Sequence, residues 1–136
     1  MKVFLIAYLG VAGCYLILDG IWLGLVAKNS YLEAMQGMLR ESYPVLPWVT
    51  FYILYSAAAV YLVVLKNLHS PGWQVFFDGA ILGLAAYGAY NLTNYAILEG
   101  WPLGITLKDW AWGTFVTAAS CWSGWWLVSN LYQDAA

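Results

Sequence analysis

Among the polar side chains inside largely apolar runs of sequence are two carboxylates and two carboxamides that fall together: Asp19, Asn91, Asn94 and Asp109. A carboxylate in such a run is a candidate acid, base or ligand-binding group, because hydrocarbon penalises it by several kcal/mol unless it is paired, protonated or wet. Asp19 is therefore expected to face other helices rather than lipid. At about 1.5 Å rise per residue it lies roughly 24 Å along the first apolar run, and Asn91 and Asn94 reach a comparable depth in the third. Helical phase at about 100° per residue sorts the neighbours into stripes. Tyr15, Asp19 and Trp22 share one, Gly83, Tyr87, Asn91 and Asn94 a second, and Asp109, Gly113 and Ser120 a third, with Trp122, Trp125 and Trp126 on the opposite face of the last run.

The elements that carry these residues follow from hydropathy. Of the 136 residues 63% are apolar and only 9% charged, against about a quarter charged in an ordinary soluble domain. A chain this short has too much surface per unit volume to hide that much apolar material from water, so lipid must be the solvent for much of it. Four apolar runs, at about residues 3–26, 48–65, 73–98 and 109–132, are each close to the length that crosses a bilayer. The first runs beyond the usual core of a signal peptide and contains Asp19, which predicts a retained helix. Short connections predict an all-α, antiparallel, up-down-up-down bundle of four transmembrane helices forming a single domain over residues 1–136. The polar segment 28–47 is expected to hold an interfacial helical turn. Residues 66–72 (KNLHSPG) and 99–108 (EGWPLGITLK) supply the other breaks.

In this arrangement Asp19, Asn91 and Asn94 converge on the leaflet adjoining the first and third loops. Tyr52 and Tyr55 lie one or two turns deep from that side, and Asp109 and Trp112 lie near the entrance. The predicted pocket is lined by Asp19, Trp22, Tyr52, Tyr55, Tyr87, Asn91, Asn94, Trp101, Asp109 and Trp112, with Trp101 and Pro102 at its rim. The competing reading is interhelical glue, in which each polar side chain merely bonds a neighbouring helix at about 0.6 kcal/mol. Asp78 and Asp109 also stand near helix starts, where an acid caps free amides. Gly20-x-x-x-Gly24 and Gly79-x-x-x-Gly83 allow close approach of helix backbones within the bundle or between copies.

Several function classes drop out. A net charge of −2 without a Lys/Arg cluster argues against nucleic acid. Cys14 and Cys121 lie in apolar runs and His69 in a polar linker, a distribution that does not suggest a metal site. No cofactor motif or nucleophile–base pair is visible, so neither a reaction nor a cofactor follows from the residues. Lys28, Arg40 and Lys108 against Lys2 and Lys66 lean weakly toward cytoplasmic first and third loops.

The segments Leu18-Asp19-Gly20-Ile21-Trp22-Leu23-Gly24, Tyr90-Asn91-Leu92-Thr93-Asn94, Gly100-Trp101-Pro102 and Asp109-Trp110-Ala111-Trp112-Gly113-Thr114 resemble the bacterial DUF2177 membrane family, a domain of unknown function, along essentially the whole chain. The resemblance implies four helices and a multi-pass place in the bacterial inner membrane, and it carries no catalytic role. Asn91 stands where the family pattern admits Asp, which removes one proton carrier. Three functions remain open: a pocket for a small amphipathic or lipid-derived molecule, an accessory or assembly subunit of a larger membrane complex, and a proton-linked carrier acting as a homo-oligomer. Surrounding membrane lipid is the partner common to all three.

Overall fold

The computed structural model describes residues 1–132, whose regular elements are all helices, with no strand among them. Helix α1 covers Lys2–Ile21 and continues through one wide π-type turn, Trp22–Val26. A short helix α2, Lys28–Ala34, fills the first loop. Helix α3, Val45–Ala59, runs on through a second π turn, Val60–Val64, and a 3-10 turn, Leu65–Asn67. Helices α4, Gly72–Ile97, and α5, Leu103–Leu131, complete an antiparallel bundle. Turn chemistry accounts for the boundaries. Pro44, Pro71 and Pro102, in extended backbone, immediately precede α3, α4 and α5. Proline lacks the N–H that the first helical turn would leave unpaired, and the residue after it enters the helix without penalty. Gly100, at φ 80°, closes the α4–α5 turn in backbone space that other residues rarely occupy.

The last helix starts at Leu103 rather than near residue 109, because Pro102 sets its N-terminus and the Thr106 hydroxyl donates back to the Pro102 carbonyl at 2.9 Å. Asp109 is thus inside α5 and is no cap. Likewise Asp78 lies in the second turn of α4, where its carboxylate accepts a hydrogen bond from the buried Asn67 amide at 2.9 Å. The second helical stretch is also longer than residues 48–65, reaching Val45–Asn67.

Three stretches, Lys2–Val26, Val45–Asn67 and Gly72–Ile97, are long and apolar enough to cross a membrane. Helix α5, at 29 residues, exceeds the roughly 20 a span needs, but its Ser, Thr, Gly and Trp residues dilute its hydropathy. Its polarity is turned inward. Ten α5 residues are buried, against five in α1, and α5 packs along both α4 and α1. The buried Thr117 hydroxyl bonds within this helix, to the Gly113 carbonyl at 2.7 Å. The long outward side chains are apolar, among them Leu9, Ile17, Leu54, Phe77 and Ile97. With lipid outside, that distribution stabilises each span, whereas water would oppose it.

Glycine sets the closest approaches. A Cβ on Gly10 would stand 2.7 Å from the Gly124 Cα, and one on Gly83 would stand 2.6 Å from the Gly113 carbonyl oxygen. Gly79 and Gly83 therefore bring α4 onto α5, as their spacing suggests. Gly20 and Gly24 do not serve the bundle, since a Cβ at either would meet open space. Trp122 and Trp126 face outward as phase predicts, while Trp125 turns partly inward against Gly72 and the core.

Candidate functional site

The two carboxylates are held by neutral donors on four helices, α2, α3, α4 and α5. Asp19, 7% exposed, accepts from the Tyr52 phenol through one oxygen and from the Trp112 indole through the other at 2.9 Å. Asp109 accepts from the Tyr31 phenol at 2.5 Å and from the Asn91 amide at 2.6 Å. Two indoles join the pairs. Trp22 stacks flat on Trp112, with centroids 4.4 Å apart and planes 3° off parallel, and its Nε1 donates to the Tyr31 hydroxyl at 3.3 Å. The first π turn begins at Trp22 itself, one helical turn beyond Asp19, a position where such wide turns often accompany functional side chains.

Local sequence explains each placement. Asn91 is positioned by its own helix, since its Nδ2 also donates to the Tyr87 carbonyl one turn back at 3.0 Å. That double donation fixes which end of the amide faces Asp109 and leaves the buried Oδ1 without a partner. The Tyr87 ring fits only because α5 carries no side chain at Gly113, where a Cβ would stand 2.0 Å from the Tyr87 Cγ. Tyr31 sits on α2 above the end of α5, and α2 is tied there a second time by Lys108 Nζ donating to Ser30 Oγ at 3.1 Å. Burial first, then the hydrogen bond to Asp109, raises the Tyr31 pKa above the ordinary phenol range. The phenol therefore stays protonated at neutral pH and remains a donor.

In front of this network lies a cleft of about 400 Å³ lined by Trp48, Phe51, Tyr52, Tyr55, Ala86, Tyr87, Tyr90 and Asp109. It lies between α3 and α4, whose backbones make little direct contact: α3 rests mainly on α1, and the π turn that follows it is where the backbone comes close to α4 and α5. Tyr55 closes the inner end, its hydroxyl 2.9 Å from Thr117 Oγ1 and its ring edge-on to Tyr87 at 6.2 Å. Behind it the Tyr15 ring packs edge-on to Tyr52 and Tyr55 with its hydroxyl buried and unpartnered.

The expected pocket residues thus divide. Tyr52, Tyr55, Tyr87 and Asp109 line the cleft, while Asp19, Trp22, Asn91 and Trp112 form the hydrogen-bonded wall behind it, with Tyr52 and Asp109 belonging to both. Trp101 stands outside, edge-on to Tyr90 at 6.0 Å. Asn94 is half-buried and bonds neither carboxylate among the described residues. Sequence reasoning missed Tyr31, although Tyr31 and Ala34 follow Ala27, just before α2, at helical spacing and with Ser30 make up the side of α2 that is not exposed. It also missed Trp48, Phe51 and Tyr90, whose types do not distinguish lipid-facing rings from cleft-facing ones. Among the described residues no three His, Cys, Asp or Glu side chains converge in a metal-binding group.

The family model described as predicted membrane protein (DUF2177) matches residues 4–126. No curated protein and no solved structure matches the chain.

Proposed function

The chain belongs to the DUF2177 family of predicted membrane proteins, and from that premise we propose that it binds a small amphipathic or lipid-derived molecule in the cleft between α3 and α4. As a multi-pass protein it would do so within the bacterial inner membrane, with the apolar part of the ligand along the aromatic walls and the polar end at Asp109. The observation that carries this reading is the pairing of an aromatic cleft between two loosely joined spans with one carboxylate at its polar end. Ligand sites commonly combine mostly apolar walls with a few convergent polar groups. Interhelical glue accounts for the bonds around Asp19, but it does not account for unfilled space in front of Asp109. The unpartnered Oδ1 of Asn91 adds an acceptor beside that carboxylate.

A neutral single-chain amphiphile carrying a diazirine tests the reading. Irradiated with the purified chain in maltoside detergent, it should label peptides containing Trp48, Phe51 and Tyr90 above those of the lipid-facing side of α1. Ala86→Phe, which fills the cleft from α4, should abolish the excess. Even labelling over all outward faces would overturn the proposal.

The accessory-subunit reading keeps one observation of its own. Gly20 and Gly24 present an open small-residue surface that the bundle leaves uncovered. A larger complex or a homo-oligomer would make use of it, and stoichiometric protein partners in a native-membrane purification would favour that reading. A proton-linked carrier would require the same oligomer.

A further inference from the structure

The bonds around Asp109 point to the chemistry of the ligand's polar end. Six of the eight residues lining the cleft are aromatic, and Asp109 is the only charged one. No Lys, Arg or His lines it, and the neighbouring Lys108 is directed to Ser30 on α2. The hydrogen-bond partners of Asp109 are a phenol and a carboxamide, neither of which cancels its charge. Asn91, 1% exposed and behind the lining, has a buried carbonyl oxygen with no donor one hydrogen bond away from that carboxylate. The unmet capacity here is for accepting hydrogen bonds and for positive charge. Aromatic faces supply the same preference, because the negative face of a ring attracts a cation and does so more strongly when water is excluded.

We infer that the cleft takes an amphipathic ammonium, a single-chain amine or quaternary ammonium without a phosphate beside it. This rests on the cleft-binding reading above and narrows it to one class. Charge complementarity selects the cation. The lack of a basic lining residue disfavours a phosphate, whose negative charge would stand near Asp109 with no partner. A zwitterionic phospholipid headgroup meets that objection too, since it brings its phosphate with its ammonium.

The test is competition against the diazirine label in the full-length chain, with three single-chain probes of equal length. These are dodecyltrimethylammonium, its carbon isostere with a tert-butyl group in place of the trimethylammonium, and dodecylphosphocholine. The ammonium should protect the cleft at a concentration at least about tenfold below that of the isostere, as expected for a desolvated cation–π and carboxylate site. Dodecylphosphocholine should compete no better than the isostere. Asp109→Asn keeps the shape and removes the charge, and should shrink the advantage of the ammonium to under about threefold while leaving protection by the isostere unchanged. Should that variant fail to fold, the rim double variant Trp48→Leu with Phe51→Leu decides, because both side chains are more than two-fifths exposed. It should narrow the same gap several-fold. Equal protection by ammonium and isostere, protection by dodecylphosphocholine as strong as by the ammonium, or an advantage unmoved by these variants would overturn the inference and leave cleft binding standing. Absence of cleft-specific labelling would remove both.

Discussion

The two ends of the bundle are built on different principles. Toward the second loop and the chain termini, Ala7, Val11, Ala59, Val60, Val63, Val64, Val75, Cys121 and Val128 form one dry core of small and β-branched side chains. Gly10 against Gly124 sets the α1–α5 spacing within it. Toward the first and third loops the helices are joined by large aromatic rings and by hydrogen bonds to two carboxylates, with a cleft left between α3 and α4. Small residues let backbones touch and leave no room. Rings hold backbones apart, and the space between them needs polar groups to specify the arrangement. One end supplies rigidity and the other, on the proposed function, the binding cleft, so a change at the first should act on folding and a change at the second on binding as well as on stability.

That contrast is sharpest at Gly10. Gly10→Val forces α1 off the α5 backbone and should cost at least about 3 kcal/mol, a large fraction of marginal stability, read as loss of cooperative unfolding in mixed detergent micelles. Retained stability would mean that the small-residue end is not the rigid one. Asp109→Ala comes next. It leaves the Tyr31 hydroxyl and the Asn91 amide without an acceptor, at about 1–3 kcal/mol each, and the same unfolding measurement should find Asp109→Asn milder. Tyr31→Phe removes a single bond between α2 and α5 and should cost about 1 kcal/mol, with faster amide hydrogen exchange in α2 than in the buried core. The smallest effect should be at Gly20. Gly20→Ala enters open space in a helix and should leave the bundle within about 0.5 kcal/mol of the parent or slightly more stable. A marked loss there would place Gly20 in a contact outside this bundle.

The site was legible where a residue type is costly in lipid. Asp19 had to face inward, and it does. Asn91 and Asp109 were assigned to a common leaflet by depth and phase, and they are hydrogen-bonded. The aromatic residues carried no comparable signal, because Trp and Tyr are acceptable at the headgroup level, against lipid or in a core. Trp48, Phe51 and Tyr90 were therefore invisible as cleft residues, and Trp101, expected at the rim, packs on Tyr90 rather than on the lining itself. Tyr31 was missed because a single turn of helix in a polar loop states no depth. The glycine pairs behave the same way: Gly79 and Gly83 pack and Gly20 and Gly24 do not, although the spacing is identical.

From sequence alone came the solvent, the helical class, the antiparallel order and the inward direction of Asp19. Each follows from a cost that any arrangement must meet, whether unpaired backbone in hydrocarbon, short connections or a carboxylate in lipid. Only tertiary structure decided that α5, the least hydropathic of the long helices, is the one the others surround, and that α3 leans on α1 and away from α4 to leave the cleft. The reason is that hydropathy measures the transfer of a residue to lipid, whereas the place of a helix in the bundle depends on which surfaces fit. Gly113 beneath Tyr87 and Gly124 beneath Val11 are complementarities between distant positions that neither helix encodes by itself.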